Sequence, residues 1–238
     1  MTQQANILAL IPARGGSKGL IGKNLYPILD KPLLQYTIDE AQKSRHITQL
    51  MMSSEDAEIN RYAESLGVKV DYVRPASLAE DHTTTAEAVL HALDWLEERN
   101  ELPDAIILLQ PTSPLRTVEE MDDAIEQFLA SDKQSLVSVQ PMKEHPFKCI
   151  QQQDGEWQYL AKPEKFVSRR QDYTNDYYVI NGAIYIVTPQ WLREKGEFTG
   201  EGESELFVMD CISGVDIDDL TDVFQVEALL KMRQMQLK

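Results

Sequence analysis

Cysteine is nearly absent from the sequence: only Cys149 and Cys211 occur in 238 residues. They stand too far apart to form a metal-type pair, and the reading they support is two free thiols in a reducing cytoplasm. Histidine is as scarce, and His46, His82, His91 and His145 make no close-spaced ligand set. No run of about 18 apolar residues occurs, so no transmembrane helix is expected. The opening Met1-Thr2-Gln3-Gln4 carries no basic stretch, and the short apolar run from Ile7 to Ala13 reads as a strand, not a signal peptide. Positive charge is in deficit, with 23 Lys and Arg against 39 Asp and Glu and a formal net charge of −16. That balance argues against nucleic acid or an anionic membrane as the main partner.

What is present suits one large α/β domain, or one domain with a small subdomain. Hydrophobic residues make up 42% of the chain, enough for a sizeable core. Asn6–Pro12 is a compact apolar run ahead of Gly-rich sequence and predicts a buried strand feeding a loop. Further strands are expected at Leu50–Ser53, Val68–Val73, Ala105–Leu109, Ser135–Val139, Gly182–Val187 and Leu206–Met209. Helical spacing appears at Leu34, Ile38 and Ala41, at Ile59–Leu66, at Ala86–Leu96 and at Met121–Leu129. A closing helix is expected over Leu220–Met235, with Val223, Val226, Leu229 and Leu230 inward. The alternation predicts a Rossmann-like, mostly parallel sheet with helices on both faces. Ligands on such sheets bind at the carboxyl ends of the strands, here the loops after Ile11, Leu109 and Val139. Pro141–Tyr178 is polar and weakly periodic, and reads as an inserted hairpin or subdomain.

The charge is uneven. Arg14, Lys18, Lys23 and Lys31 face one acid, Asp30; Lys162, Lys165, Arg169 and Arg170 face Glu164. Two cationic islands in an acidic chain suit an anionic small molecule, although ordinary surface lysines would account for the composition equally well. The first island is more specific, because Ala13-Arg14-Gly15-Gly16-Ser17-Lys18-Gly19 follows the first strand directly, with Lys23-Asn24 behind it. Small residues let backbone N–H groups approach a phosphate, and Lys and Arg neutralise it. A Walker A loop fails at both ends, with Ser17 in place of the first Gly and Asn24 in place of Ser/Thr. The dinucleotide pattern fails at Arg14.

The stretch Ile11-Pro12-Ala13-Arg14-Gly15-Gly16-Ser17-Lys18-Gly19 with Lys23-Asn24 resembles the opening of the CMP-sialic acid synthetases, the acylneuraminate cytidylyltransferases. The resemblance continues in family order through Arg74-Pro75-Ala76 with Leu78-Ala79 and Asp81, then Leu109-Gln110-Pro111-Thr112-Ser113-Pro114-Leu115-Arg116. It extends to Arg169-Arg170-Gln171-Asp172, Asn181-Gly182-Ala183-Ile184-Tyr185 and Asp216-Ile217-Asp218.

The resemblance implies transfer of CMP from CTP to an N-acylneuraminate-type nonulosonic acid, releasing pyrophosphate. Arg14, Ser17, Lys18, Lys23 and Asn24 inherit the role of holding CTP, with Lys23 and then Arg14 as the cations on the departing charge. Thr84 is the expected hydroxyl contact to the nucleotide; a helix cap explains it equally well. Gln110, Arg170, Asn181 and Tyr185 are the expected sugar-acid residues, with Arg169 competing for the carboxylate that suits a planar guanidinium. Asp216 and Asp218 flank Ile217 and, in an extended segment, point the same way, as ligands of one Mg²⁺ or Mn²⁺ would. Asp219 and Asp222 leave a solvated acidic helix start as the alternative.

Ser113 lacks the G-x-S-x-G surroundings of a nucleophile. The family also implies a homodimer, built here from about 142–178 and 194–207, to whose partner site Phe198 could contribute; a local mini-core fits Phe198 as well. The alternatives are the same reaction on legionaminic or pseudaminic acid, a nucleotide-sugar-dependent glycosyltransferase, and a non-catalytic nucleotide-binding protein.

Overall fold

A computed structural model describes residues 5–17, 19–162 and 176–236. Its centre is a six-stranded sheet of β1 (Ile7–Pro12), β4 (Ile47–Ser53), β5 (Ala105–Leu108), β6 (Ser135–Pro141), β9 (Tyr178–Val187) and β10 (Glu205–Val208), in the order β10-β6-β9-β5-β1-β4. β9 pairs antiparallel with both β5 and β6, and every other pairing in this sheet is parallel. The sheet is thus mostly parallel, as the β–α alternation predicts.

Strand periodicity divides the core in two. Ile7, Ala9 and Ile11 of β1 face one side, where they meet α1 (Leu33–Ala41), α2 (Ala57–Ser65) and α4 (Val118–Ala130). Leu8 and Leu10 face the other, against α3 (Thr85–Glu97) and α5 (Pro189–Lys195). α3 and α4 each begin with a capping box, Thr84 with Glu87 and Thr117 with Glu120. α6 (Leu220–Gln236) closes a third cluster in which Val223 and Val226 pack on Leu115 and Ile217, with Leu229 and Leu230 partly buried. Among the described residues no helix is long and apolar enough to cross a membrane.

One strand expectation changes. Val68–Val73 forms no strand. Its alternation is real, since Val68 and Tyr72 are buried and Val73 is exposed. It reports side chains packed beside edge strand β4, whose neighbour the segment never becomes through ladder hydrogen bonds. The Pro141–Tyr178 region contains a hairpin, β7 (Ile150–Gln153) and β8 (Glu156–Tyr159), turned by Asp154-Gly155 with both residues at positive φ. A small hairpin, β2 (Pro27–Ile28) and β3 (Lys31–Pro32), also follows the Gly-rich loop.

β9 is longer than its apolar core and irregular: Val137 pairs with Tyr185, but Val139 pairs with Ile180. The extra β9 residues form a bulge at Asn181-Gly182, where Gly182 has φ 75°. Asn181 braces it, its Oδ1 accepting from Ser138 Oγ at 2.6 Å and from Ala183 N–H at 3.1 Å. The Asn181 amide of the Asn-Gly-Ala motif thus has a structural task in the backbone, beside the sugar-pocket role that the resemblance implies for it. The Phe198 ring packs on Tyr185 of its own chain, 5.4 Å between centroids, and its carbonyl accepts from Ser135 Oγ at 2.6 Å, the local packing that the mini-core reading describes.

Candidate active site

The Gly-rich loop leaves the carboxyl end of β1 and is pinned from three sides. Ala13 N–H donates to Ser53 O at 3.0 Å, Gly15 N–H to Glu55 Oε1 at 2.8 Å, and Asn24 Nδ2 reaches back to Arg14 O at 2.9 Å. Asn24 is buried, so its first role is to shape the loop. At Gly19 a Cβ would run into the backbone carbonyl of Asp218, which is why glycine stands there. The loop and the carboxy-terminal carboxylate segment are thus in backbone contact.

Lys23 completes that contact. Its Nζ donates to Ile217 O at 2.9 Å and lies 3.1 Å from Asp218 Oδ1. The Lys23 side chain is 15% exposed and that of Asp218 82%, so the ammonium sits at the floor of a cleft and the carboxylate at its lip. The cleft holds about 550 Å³, and Arg14, Ser17, Lys23, Asn24, Gln110 and Asp218 all line it.

Thr84 and Arg74 form the opposite wall. Arg74 is buried, donating from Nε to Ser53 Oγ at 3.0 Å and from Nη2 to Ser53 O at 2.6 Å. Arg14 Nη1 lies 3.2 Å from Asp81 Oδ1 across the mouth. Thr84 serves the helix cap, its Oγ1 accepting from Glu87 N–H at 3.2 Å, while also facing the cleft.

The four acids after Val215 separate into two pairs. Asp219 and Asp222 cap α6: Asp219 Oδ1 accepts from the N–H groups of Thr221 and Asp222, and Asp222 Oδ2 from those of Asp218 and Asp219. The acidic-helix-start alternative accounts for these two and leaves Asp216 and Asp218 without a capping task. Asp216 is held by its neighbour Ile217, whose N–H donates to Thr112 O at 2.9 Å. Burial raises the Asp216 carboxyl above the usual carboxylate range and the Asp218 charge adds to this, while Thr112 and Lys23 pull it down. Burial and then the Asp216 charge likewise raise the Tyr185 phenol, which places that ring within reach of Asp216's field.

The structure therefore gathers Arg14, Ser17, Lys23, Asn24, Thr84, Gln110 and Asp218 around one cleft, whose lining does not include Asp216 or Tyr185; the Tyr185 ring packs on Phe198. Lys18, Arg169 and Arg170 lie outside the described residues. The sequence reading missed the inward work of Arg116. It is fully enclosed, with Nη1 donating to Ala183 O at 2.5 Å and Nη2 to Thr37 Oγ1 at 3.0 Å. Burial lowers its guanidinium to about 10, so it stays charged and ties the Gln110 loop to β9 and α1.

A cytidylyltransferase family model matches residues 8–235. The chain is 34% identical to the CMP-N,N'-diacetyllegionaminic acid synthase of Legionella pneumophila, over 96% of this chain and 97% of that protein. It is 30% identical to a pseudaminic acid cytidylyltransferase of Campylobacter jejuni, over 94% and 96%. The N-acylneuraminate cytidylyltransferase of Escherichia coli O18:K1:H7 is 32% identical over 92% of this chain and 51% of its own length. In fold, the chain matches CMP:2-keto-3-deoxy-manno-octonic acid synthetase complexed with CTP at a TM-score of 0.74 and 16% identity, over 96% of this chain and 100% of that one. With a basic loop and a carboxylate lip closed on one cleft, a family model over residues 8–235, and the Legionella and Campylobacter relatives matched nearly end to end, the chain belongs to the cytidylyltransferase family, in its CMP-sialic acid synthetase group.

Proposed function

We propose that the protein joins CTP to a sialic-acid-type nonulosonic acid. The anomeric hydroxyl oxygen attacks the α-phosphorus of CTP, the bond from that phosphorus to the bridging oxygen breaks, and pyrophosphate leaves with the electron pair. The hydroxyl proton passes to solvent. The observation that carries this reading is the approach of Lys23 to Asp218 in a cleft that Arg14 and Gln110 share. Arg14 and Lys23 would neutralise the charge gathering on pyrophosphate. Gln110 offers a donor and an acceptor, as an acylamido sugar requires.

A divalent cation, Mg²⁺ or Mn²⁺, suits Asp216 and Asp218. Two carboxylates beside a phosphate site are the usual protein share of a Mg²⁺ shell, the remainder being water and phosphate oxygen. Among the described residues no group of three or more His, Cys, Asp or Glu could hold a metal ion. Held by Asp216 and Asp218, the cation would supply positive charge to the phosphates and acidify the attacking hydroxyl.

The acceptor test is pyrophosphate release with CTP and Mg²⁺ across a panel of nonulosonic acids. The 34% identity over 96% of this chain and 97% of the Legionella protein favours a diacetyllegionaminic-type acid first, with pseudaminic acid next on the near full-length Campylobacter match and an N-acylneuraminate after it. CTP is expected to outpace UTP, ATP and GTP by about tenfold or more, since a missing base-specific hydrogen bond leaves polar groups unpaired. Absence of pyrophosphate with every acid would sink the reading.

We further propose a homodimer. Ile180, Val208 and Leu206 are each about half exposed, and ladder pairing sets Ile180, Val139 and Val208 in one row at the β10 edge. Val208 and Leu206 on edge strand β10, with Ile180 two strands in, are exposed apolar side chains that call for cover. Light scattering should give twice the chain mass of 27.1 kDa and Val208→Asp should halve it; a monomeric wild type would contradict this.

A further inference from the structure

We infer that Arg233, near the end of α6, is a positioning residue for the carboxylate lip, an inference that rests on the cytidylyltransferase reading above. Its guanidinium reaches two loops that are far apart in sequence. Nη1 donates to Leu115 O at 2.6 Å, in the loop that begins at Gln110. Nη2 donates to Ser213 Oγ at 3.0 Å, in the loop that carries Asp216 and Asp218. Ser213 is buried, and its turn is already fixed by Asp210, whose Oδ1 accepts from Ile212 N–H and Ser213 N–H at 2.7 Å each.

The same two loops meet again closer to the cleft, where Ile217 N–H donates to Thr112 O. They are therefore stitched at two points, by Arg233 on the outside and by the Thr112–Ile217 bond beside the acids. One bond alone leaves a hinge; two fix an angle. That angle sets Asp216 and Asp218 against the Gln110 wall.

Apolar packing does not supply this constraint. Leu115, Ile217, Val223 and Val226 share one cluster, which holds the loops together while leaving their relative register soft. A planar fork with two directed N–H groups adds what a non-directional contact lacks. The role is carried through Ser213 and Leu115 rather than by contact with substrate.

The test uses the full-length protein with Arg233→Met, which keeps an apolar stem in place, Arg233→Lys, and Ser213→Ala alone and combined with Arg233→Met. Readouts are Tm, kcat and KM for CTP, and Mn²⁺ affinity by calorimetry with CTP and no acceptor. Arg233→Met should lower kcat about tenfold and weaken Mn²⁺ binding severalfold, with the KM for CTP within about twofold and a folded protein at assay temperature. Arg233→Lys should recover part of the loss, because an ammonium serves one acceptor well but not both in a plane. Ser213→Ala should add little on the Arg233→Met background, as expected of two groups in one linkage. The inference is overturned if kcat and Mn²⁺ affinity of Arg233→Met stay within twofold of wild type, or if every parameter falls only in proportion to the folded fraction. A wild type that releases no pyrophosphate would remove the catalytic reading alone, and the Mn²⁺ measurements would still decide the role of Arg233.

Discussion

Replacing Lys23 with alanine is expected to lower kcat by about 10²–10³-fold, the usual loss when one fixed charge-stabilising group leaves a preorganised site. Among the described residues Lys23 is the cation seated between the Gly-rich loop and the carboxylate segment, with its side chain 15% exposed and its ammonium on Ile217 O and Asp218. When a triphosphate enters, that ammonium is placed to follow the charge onto pyrophosphate. Folding should change far less. Losing the bond to Ile217 O costs about 1–3 kcal/mol, and each kcal/mol corresponds to a fall of about 2–4 °C in Tm for a chain of this size. Steady-state kinetics beside a thermal melt separate the two effects, and turnover within about threefold of wild type would remove Lys23 from the chemistry.

Asp218→Asn should abolish Mg²⁺-dependent turnover, by about 10²-fold or more at any cation concentration. The substitution keeps shape and removes charge, and the side chain is 82% exposed, so the fold has little reason to notice. Exposed ion pairs of this kind contribute little to stability. The Lys23 contact gives the variant a second signature. In the wild type a cation must draw Asp218 away from the Lys23 ammonium, so Lys23→Ala should bind Mn²⁺ more tightly without nucleotide even as it loses turnover. A Mg²⁺ titration of Asp218→Asn that reaches wild-type rate would refute the carboxylate assignment.

Much of this was legible in the residues because the relevant signals are local. The β1 alternation names both faces of the sheet, and the crowding of Arg14, Gly15, Gly16, Gly19 and Lys23 after a first strand marks the loop that the structure sets on the cleft. The same local reasoning failed where two structures share one pattern. Val68–Val73 alternates like a strand, yet only a ladder partner makes it one, and no partner can be read from alternation. Asn181 sits in a family-like block, and its amide also holds the β9 bulge. The bulge follows from pairing with β6 and is invisible in the block itself. Thr84 suited both a cap and a ligand, and the structure shows it capping α3 at the cleft wall. Arg116 and Arg233 were missed for a different reason. Their acceptors are backbone carbonyls and hydroxyls brought close by tertiary folding, as with Arg233 and Leu115, and no composition or spacing announces them.

The most direct measurement is a crystal structure with CTP and Mn²⁺, using manganese anomalous scattering to locate the cation. The expected map has a manganese peak at Asp216 and Asp218, the triphosphate between that peak and the Arg14–Lys23 loop, and the Lys23 ammonium on phosphate oxygen. A triphosphate bound elsewhere, with Lys23 still on Asp218 and no manganese at the two acids, would contradict the account.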